Sequence, residues 1–372
     1  MNIAIVTNIR SPYRKLQIEE FSKIPQISIN VYYTDKNVLG RKWNVKPING
    51  VNEKVLQGYR LLKKYGYFNL GLVDIVRNNN VIIIGGYEQP TCILLSFLCR
   101  FYKKPYVIIF DGISPKKINE AENPVKFLLK NLVVKHASAI FGNGTVAKLY
   151  FSKKFGYNPD KIFSQYLTVD IKKIMDLGRQ KEFWRENIRK KFNINDKKVI
   201  IYSGRLIKQK NVDLIIKAIS VLENKQEYVL LILGDGEERQ NLINLANTLN
   251  VDLKITGFIS EQEELFKHYY VGDVLILPSY NEPWGLVVNE AMAAGLPVIV
   301  SDECGCSLDL VYNGENGFIV RAGSIEDIAK AIEKVFENDN YKRFGVMSKE
   351  IIKEWNFHNS RLMFEKMLNS IY

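Results

Sequence analysis

Short apolar runs recur along the chain, each closed by a polar or glycine-rich loop and separated from the next by a longer stretch of helical spacing. Asn2–Val6, Ile27–Tyr33, Val81–Ile84, Tyr106–Phe110 and Ala139–Phe141 read as buried strands in the first half. Lys198–Ser203, Val229–Leu233, Lys254–Thr256, Val274–Leu277 and Pro297–Val300 do so in the second. Lys15–Ser22, Leu286–Ala294 and Ser324–Phe336 carry helical patterns, and Trp355–Tyr372 is helix-like. This alternation predicts an α/β fold with mostly parallel sheets. The loops G85-G-Y-E-Q-P, D111-G-I-S-P and G142-N-G-T each follow a strand and so form one rim, the edge where open α/β sheets bind ligands. Two stretches break the rhythm. Residues 36–67, with Trp43 and several tyrosines, lack clear periodicity and suggest an insertion over that rim. Lys172–Asn195 is charged, helix-favouring and strandless, and reads as a connection between domains.

The chemistry concentrates in L277-P-S-Y-N-E-P-W-G-L-V-V-N-E-A-M-A-A-G-L-P-V-I-V300. Strand, loop, helix and strand make one βαβ unit, with Gly285 at the helix mouth and Gly295 just past its last turn. The first N–H groups of a helix lack internal partners and lie at the positive end of its dipole, so an anion docks there. A glycine lets a phosphate approach the amides of Gly285, Leu286 and Val287. Glu282 and Glu290 bracket that seat, and carboxylates accept hydrogen bonds from hydroxyls. Phosphate between two polyols describes a nucleotide sugar. Taken singly, the two glutamates read equally as a solvated loop charge and a helix surface residue.

The run E282-P-W-G-L-V-V-N-E290-A-M-A-A-G-L-P-V-I closely resembles the E-x7-E signature of retaining glycosyltransferases of family 4. The resemblance implies the GT-B fold, two Rossmann-like domains facing across a cleft, with the C-terminal helix returning to the N-terminal domain. It divides the chain into an acceptor-side domain, 1–170 plus 355–372, and a nucleotide-sugar-binding domain, 171–354. It implies that Glu282 holds hydroxyls of the donor sugar, that Gly285, Leu286 and Val287 hold the diphosphate, and that Glu290 holds the ribose. Pro283 and Trp284 join the donor-binding set. The run G204-R-L-I-K-Q-K210 matches the family's G-R-L with a lysine five residues after the arginine; the resemblance implies that Arg205 and Lys210 clamp the diphosphate and puts Gly204 in the donor-binding set. Phe258 and Ile259 stand where the family places its base, although core packing of Phe258 is an alternative. Family members commonly carry a histidine at the strand end where this chain has Asp111. Asp111 could accept the acceptor's proton, bind a hydroxyl or steady a cationic transition state, or merely form a turn with Gly112. Tyr13 and Arg14, in place of the family's glycine pair after the first strand, are acceptor-side candidates or a helix start. The resemblance is strongest over about residues 200–355 and only topological over 1–170.

Charge sharpens the partners. Residues 1–170 hold 25 Lys and Arg against 11 Asp and Glu, within a chain of formal net charge +12. A basic half attracts anionic lipid, an anionic substrate or nucleic acid. No recognition motif or basic-aromatic repeat accompanies the charge, so nucleic acid is set aside. The opening is not signal-like, and no apolar run approaches the roughly 20 residues of a spanning helix. The expectation is a cytoplasmic enzyme, peripheral at the inner face of the membrane. Cys304-x-Cys306 has no second pair, His136 reads as structural and His268 and His358 lack ligand spacing, so no metal is expected. Neither is a cofactor, since no D-x-D occurs and protein cations take the place of Mg²⁺ at the phosphates. The reaction expected is front-face transfer from a nucleoside-diphosphate sugar, UDP ranking ahead of GDP, to a hydroxyl of a glycan or lipid-linked acceptor. A sugar phosphorylase or nucleotide-sugar epimerase of the same fold, and a non-catalytic basic binder, are the rivals.

Overall fold

The computed structural model describes residues 1–35, 45–60, 66–194 and 196–371, and Trp43 lies outside them. The chain divides into two compact α/β units. Met1–Gly112, Lys117–Leu167 and Phe357–Tyr372 form the first, and Ile113–Lys116 with Thr168–Asn356 the second.

The first unit is built on strands β1 (Asn2–Thr7), β2 (Ser28–Tyr33), β3 (Asn52–Val55), β6 (Val81–Ile84), β7 (Tyr106–Phe110), β8 (Ala139–Gly142) and β9 (Ile162–Ser164), with β4 (Gly58–Arg60) and β5 (Tyr67–Asn69) forming a separate antiparallel pair. The sheet order is β3-β2-β1-β6-β7-β8-β9, parallel throughout. Helices cover both faces, which is why the Val-Ile-Ile-Ile of β6 is buried at every position. Connections from β6 onward step one way across the sheet and β1 to β2 steps the other. Right-handed crossovers therefore put the helices Pro90–Phe101, Pro124–Val134 and Gly144–Phe155 on the face opposite Pro12–Phe21. The last helix, Phe357–Asn369, packs beside Pro12–Phe21, with Phe364 stacked on Phe21 at 4.1 Å and edge-on to Phe141 at 5.6 Å.

The second unit holds β10 (Lys198–Ser203), β11 (Tyr228–Leu233), β12 (Leu253–Ile255), β13 (Val274–Leu277), β14 (Val298–Ser301) and β15 (Gly317–Val320), in the parallel order β12-β11-β10-β13-β14-β15. The order reverses between β10 and β13. Loops leaving those two strands therefore meet at a topological switch point, the usual ligand crevice of such sheets.

Two stretches carry structure that their sequence does not announce. Within residues 36–67, Asn52–Val55 is an edge strand paired to β2; its Asn-Glu-Lys-Val is mostly exposed and offers no apolar signal. The stretch expected as a connection between domains carries two helices that belong to the second unit. Its helices Ile171–Leu177 and Lys181–Lys191 dock on the second unit, where Arg185 and Arg189, one helical turn apart, reach the buried Asp273 at 2.6 and 3.4 Å.

Candidate functional site

In the second unit, main-chain and amide bonds stitch the loop after β10 to the loop after β13. Tyr280 N donates to Gln209 O at 2.9 Å, and Asn211 Nδ2 donates to Pro278 O at 3.2 Å. Glu282 is locked by its own backbone, its N donating to Glu303 O at 3.2 Å and its O accepting from Gly305 N at 3.0 Å. Lys210 Nζ donates to Glu282 Oε2 in a largely buried ion pair. Sequence put these two residues 72 positions apart in different roles; the switch point makes them neighbours. Gly285 follows at φ +97°, a conformation side chains rarely adopt, and a Cβ there would stand 2.8 Å from Leu277 Cδ2. It opens the helix Leu286–Ala294. Among the described residues, the amides of Gly285, Leu286 and Val287 meet no protein acceptor. Arg205 is exposed just past Gly204, and its guanidinium has no partner among the described residues. Tyr202, whose hydroxyl is pushed up by burial and then by the charge of Glu282 and eased by Arg205, links the two loops electrostatically.

Glu290 is buried one turn inside the helix and accepts from the Tyr269 hydroxyl at 2.6 Å. Burial pushes its carboxyl up to about 7, and the hydrogen bond from Tyr269 opposes that shift. Sequence reasoning missed Tyr269, since nothing in Q262-E-E-L-F-K-H-Y-Y270 distinguishes its hydroxyl from a core tyrosine's. Pro283 is exposed beside Glu282. The Trp284 ring is buried against Trp355 at 4.8 Å and its Nε1 donates to Asn289 Oδ1 at 3.0 Å, so packing occupies the side chain. Phe258 is exposed, which removes the core alternative, and Ile259 is half-buried.

In the first unit, Tyr13, Arg14 and Asp111 form one cluster at the carboxyl ends of β1 and β7. Tyr13 Oη donates to Asp111 Oδ2 at 3.0 Å, and Arg14 Nη2 donates to Asp111 Oδ1. Burial first, and the Asp111 charge second, push the Tyr13 hydroxyl up to about 12, so it stays a donor. Gly112 follows at φ +146°. Beneath lies a buried polar network absent from the sequence reading. Arg14 donates to Gln17 and, at 3.3 Å, to Gln165 Oε1; Gln165 Nε2 donates to Phe110 O at 2.6 Å; Gln17 Nε2 donates to Ser360 Oγ at 2.9 Å. These contacts join the first helix, β7 and the last helix, and no short motif announces them.

All four cysteines are buried free thiols, and among the described residues no group of three or more His, Cys, Asp or Glu is disposed to hold a metal.

Residues 184–350 match the family model described as glycosyl transferases group 1. An uncharacterised glycosyltransferase of Methanocaldococcus jannaschii is 31% identical over 183 residues, 47% of this chain and 46% of that protein. A second from the same organism is 29% identical over 295 residues, 74% of this chain and 72% of that protein. The first alignment thus spans about half of its relative. The crystal structure of Anabaena HepE in complex with UDP superposes with a TM-score of 0.77 at 16% identity, covering 100% of both chains. The fold is GT-B.

Proposed function

We propose that this chain is a retaining glycosyltransferase that moves a sugar from a nucleoside-diphosphate donor to a hydroxyl of a glycan or lipid-linked acceptor. One observation carries the reading. The amides of Gly285, Leu286 and Val287 stand open at a helix mouth, in the same unit as the exposed Arg205 and beside the Lys210–Glu282 pair. As the sugar–phosphate bond breaks, negative charge grows on the diphosphate, and these amides with the two cations stabilise it without a metal ion. An ammonium carries three donors, so Lys210 holds Glu282 with one and turns others to phosphate. Glu282 orients the sugar hydroxyls, Glu290 receives the ribose, and Phe258 with Ile259 faces the base. The acceptor hydroxyl attacks on the leaving-group face and its proton passes to the departing phosphate oxygen. Asp111, fixed by Tyr13 and Arg14, binds the acceptor. The likeness to a structure solved with UDP supports UDP ahead of GDP. The basic first unit suits a peripheral site at the cytoplasmic membrane face.

The test is a thermal-shift series with UDP, GDP, ADP and CMP, followed by turnover with the matching sugars. UDP is expected to raise the midpoint, a response lost in Glu290→Ala, because a ligand that binds only the folded state stabilises it. Arg205→Ala is expected to lower kcat/KM about 10²- to 10³-fold, turnover is expected to survive EDTA, and proton NMR should show the donor's anomeric configuration in the product. Rapid epimerisation or phosphorolysis with donor alone, or indifference of binding to Glu290→Ala, would overturn the reading.

A further inference from the structure

The helix Pro124–Val134 exposes the stripe that a crossover helix ordinarily hides. Val125, Leu128, Leu129 and Leu132 fall at i, i+3, i+4 and i+7, a single face, and all four are exposed, Val125 at 67% and Leu128 at 58%. The inward face is occupied by Val133 and Val134, both fully buried. The adjacent helix Pro90–Phe101 packs against it and adds exposed Phe97 and Phe101, the latter at 79%. Exposed apolar side chains of this kind on packed helices mark a docking site.

Its surroundings specify the occupant. From Phe97 to Lys154, leaving out Lys116, which belongs to the second unit, there are ten Lys and Arg against three Asp and Glu. One of those acids, Glu122, is already shared by Lys130 at 3.0 Å and Lys154 at 3.1 Å. Lys103, Lys126 and Lys135 are exposed and, among the described residues, have no carboxylate partner. Two copies meeting on this face would oppose like charges, whereas an anionic bilayer satisfies both the leucines and the lysines. At 11 residues the helix is far too short to span a membrane, so it would lie in the interfacial plane. Asn123 Oδ1 accepts from Val125 N at 3.0 Å and Lys126 N at 3.3 Å, so the helix start is already formed. The connection leaves the carboxyl end of β7, where Asp111 stands, so the helix begins at the acceptor edge of the sheet.

We infer that this face docks the first unit on an anionic lipid surface through Val125, Leu128, Leu129 and Leu132, with Lys126 and Lys135 at the headgroups. The inference builds on the membrane part of the proposed function and gives it a location. The experiment is co-sedimentation of the full chain with phosphatidylcholine vesicles containing or lacking 30% phosphatidylglycerol, at low and high salt, with UDP binding measured in parallel. The unaltered protein should pellet with anionic vesicles only and less at high salt. Leu128→Gln/Leu129→Gln should weaken recruitment at least tenfold and Lys126→Glu/Lys135→Glu more than tenfold, about fivefold for each lysine removed, with UDP binding unchanged. Recruitment untouched by both double variants would overturn the inference while leaving the membrane reading standing. No recruitment of the unaltered protein would overturn both but not glycosyl transfer. A dimer dissolved by Leu128→Gln/Leu129→Gln, without vesicle binding, would reassign the face to a second copy.

Discussion

Arg14 is buried, yet the carboxylate that neutralises it, Asp111, is half-buried at the rim. Removing the acid leaves a cation among Gln17 and Gln165, which offer dipoles but no charge. Asp111→Ala should therefore cost about 1–2 kcal/mol in urea unfolding, discounted because solvent already reaches Asp111, and Arg14→Met on the same background should recover most of it. No recovery would show that Asp111 matters through contacts other than this pair. Glu290 makes a second residue-scale prediction. Its folded carboxyl titrates near 7, above the ordinary value of 4.5, so the native state holds a proton that the unfolded chain has released. The associated stability is complete below about pH 4.5 and is lost as pH rises through 7. Thermal midpoints measured from pH 6 to 8 should fall more steeply in the unaltered protein than in Glu290→Gln, and parallel slopes would contradict the assignment.

At the scale of elements, the sequence was most legible where burial on both faces left uninterrupted apolar runs. Val81–Ile84, Tyr106–Phe110, Lys198–Ser203 and Val274–Leu277 are strands with the bounds the runs suggest, and the run Val229–Leu233 is a strand that starts one residue earlier, at Tyr228. Legibility failed where structure rests on polar contacts. The helix Lys181–Lys191 is seated by Arg185 Nη1 donating to the carbonyls of Tyr270, Val271 and Gly272 at 3.0–3.3 Å, the open end left by the helix Gln262–Tyr269. A hydrophobic pattern has no means of recording that arrangement, so the segment resembled a linker. The site divides the same way. Gly285 at a helix mouth could be read locally, whereas the pairing of Lys210 with Glu282, of Tyr269 with Glu290, and of Arg14 with Gln165 each crosses between elements. Trp284 shows the same limit: it stands inside the motif in sequence and its side chain inside the core in space.

At the scale of the whole molecule, the chain passes through the first unit, builds the second, and returns its final helix to the first. That helix is tied by Phe364 between Phe21 and Phe141, by Ser360 Oγ donating to Gln165 O at 2.6 Å, and by Arg361 Nε to Glu20 Oε1 at 3.2 Å. Phe364 is fully buried, so Phe364→Ala combines lost transfer energy with a cavity and should cost about 3–5 kcal/mol. The whole loss should fall on the first unit, because every aromatic contact of Phe364 lies there. Hydrogen exchange should then show faster opening across β1, β7 and β8 with β10 and β13 unchanged. UDP at about 100 times its dissociation constant should add roughly 2.7 kcal/mol to the second unit's opening alone. Equal acceleration across both sheets, or a fall in UDP affinity matching the loss in stability, would instead mean that the two units unfold as one cooperative body, with the last helix serving both.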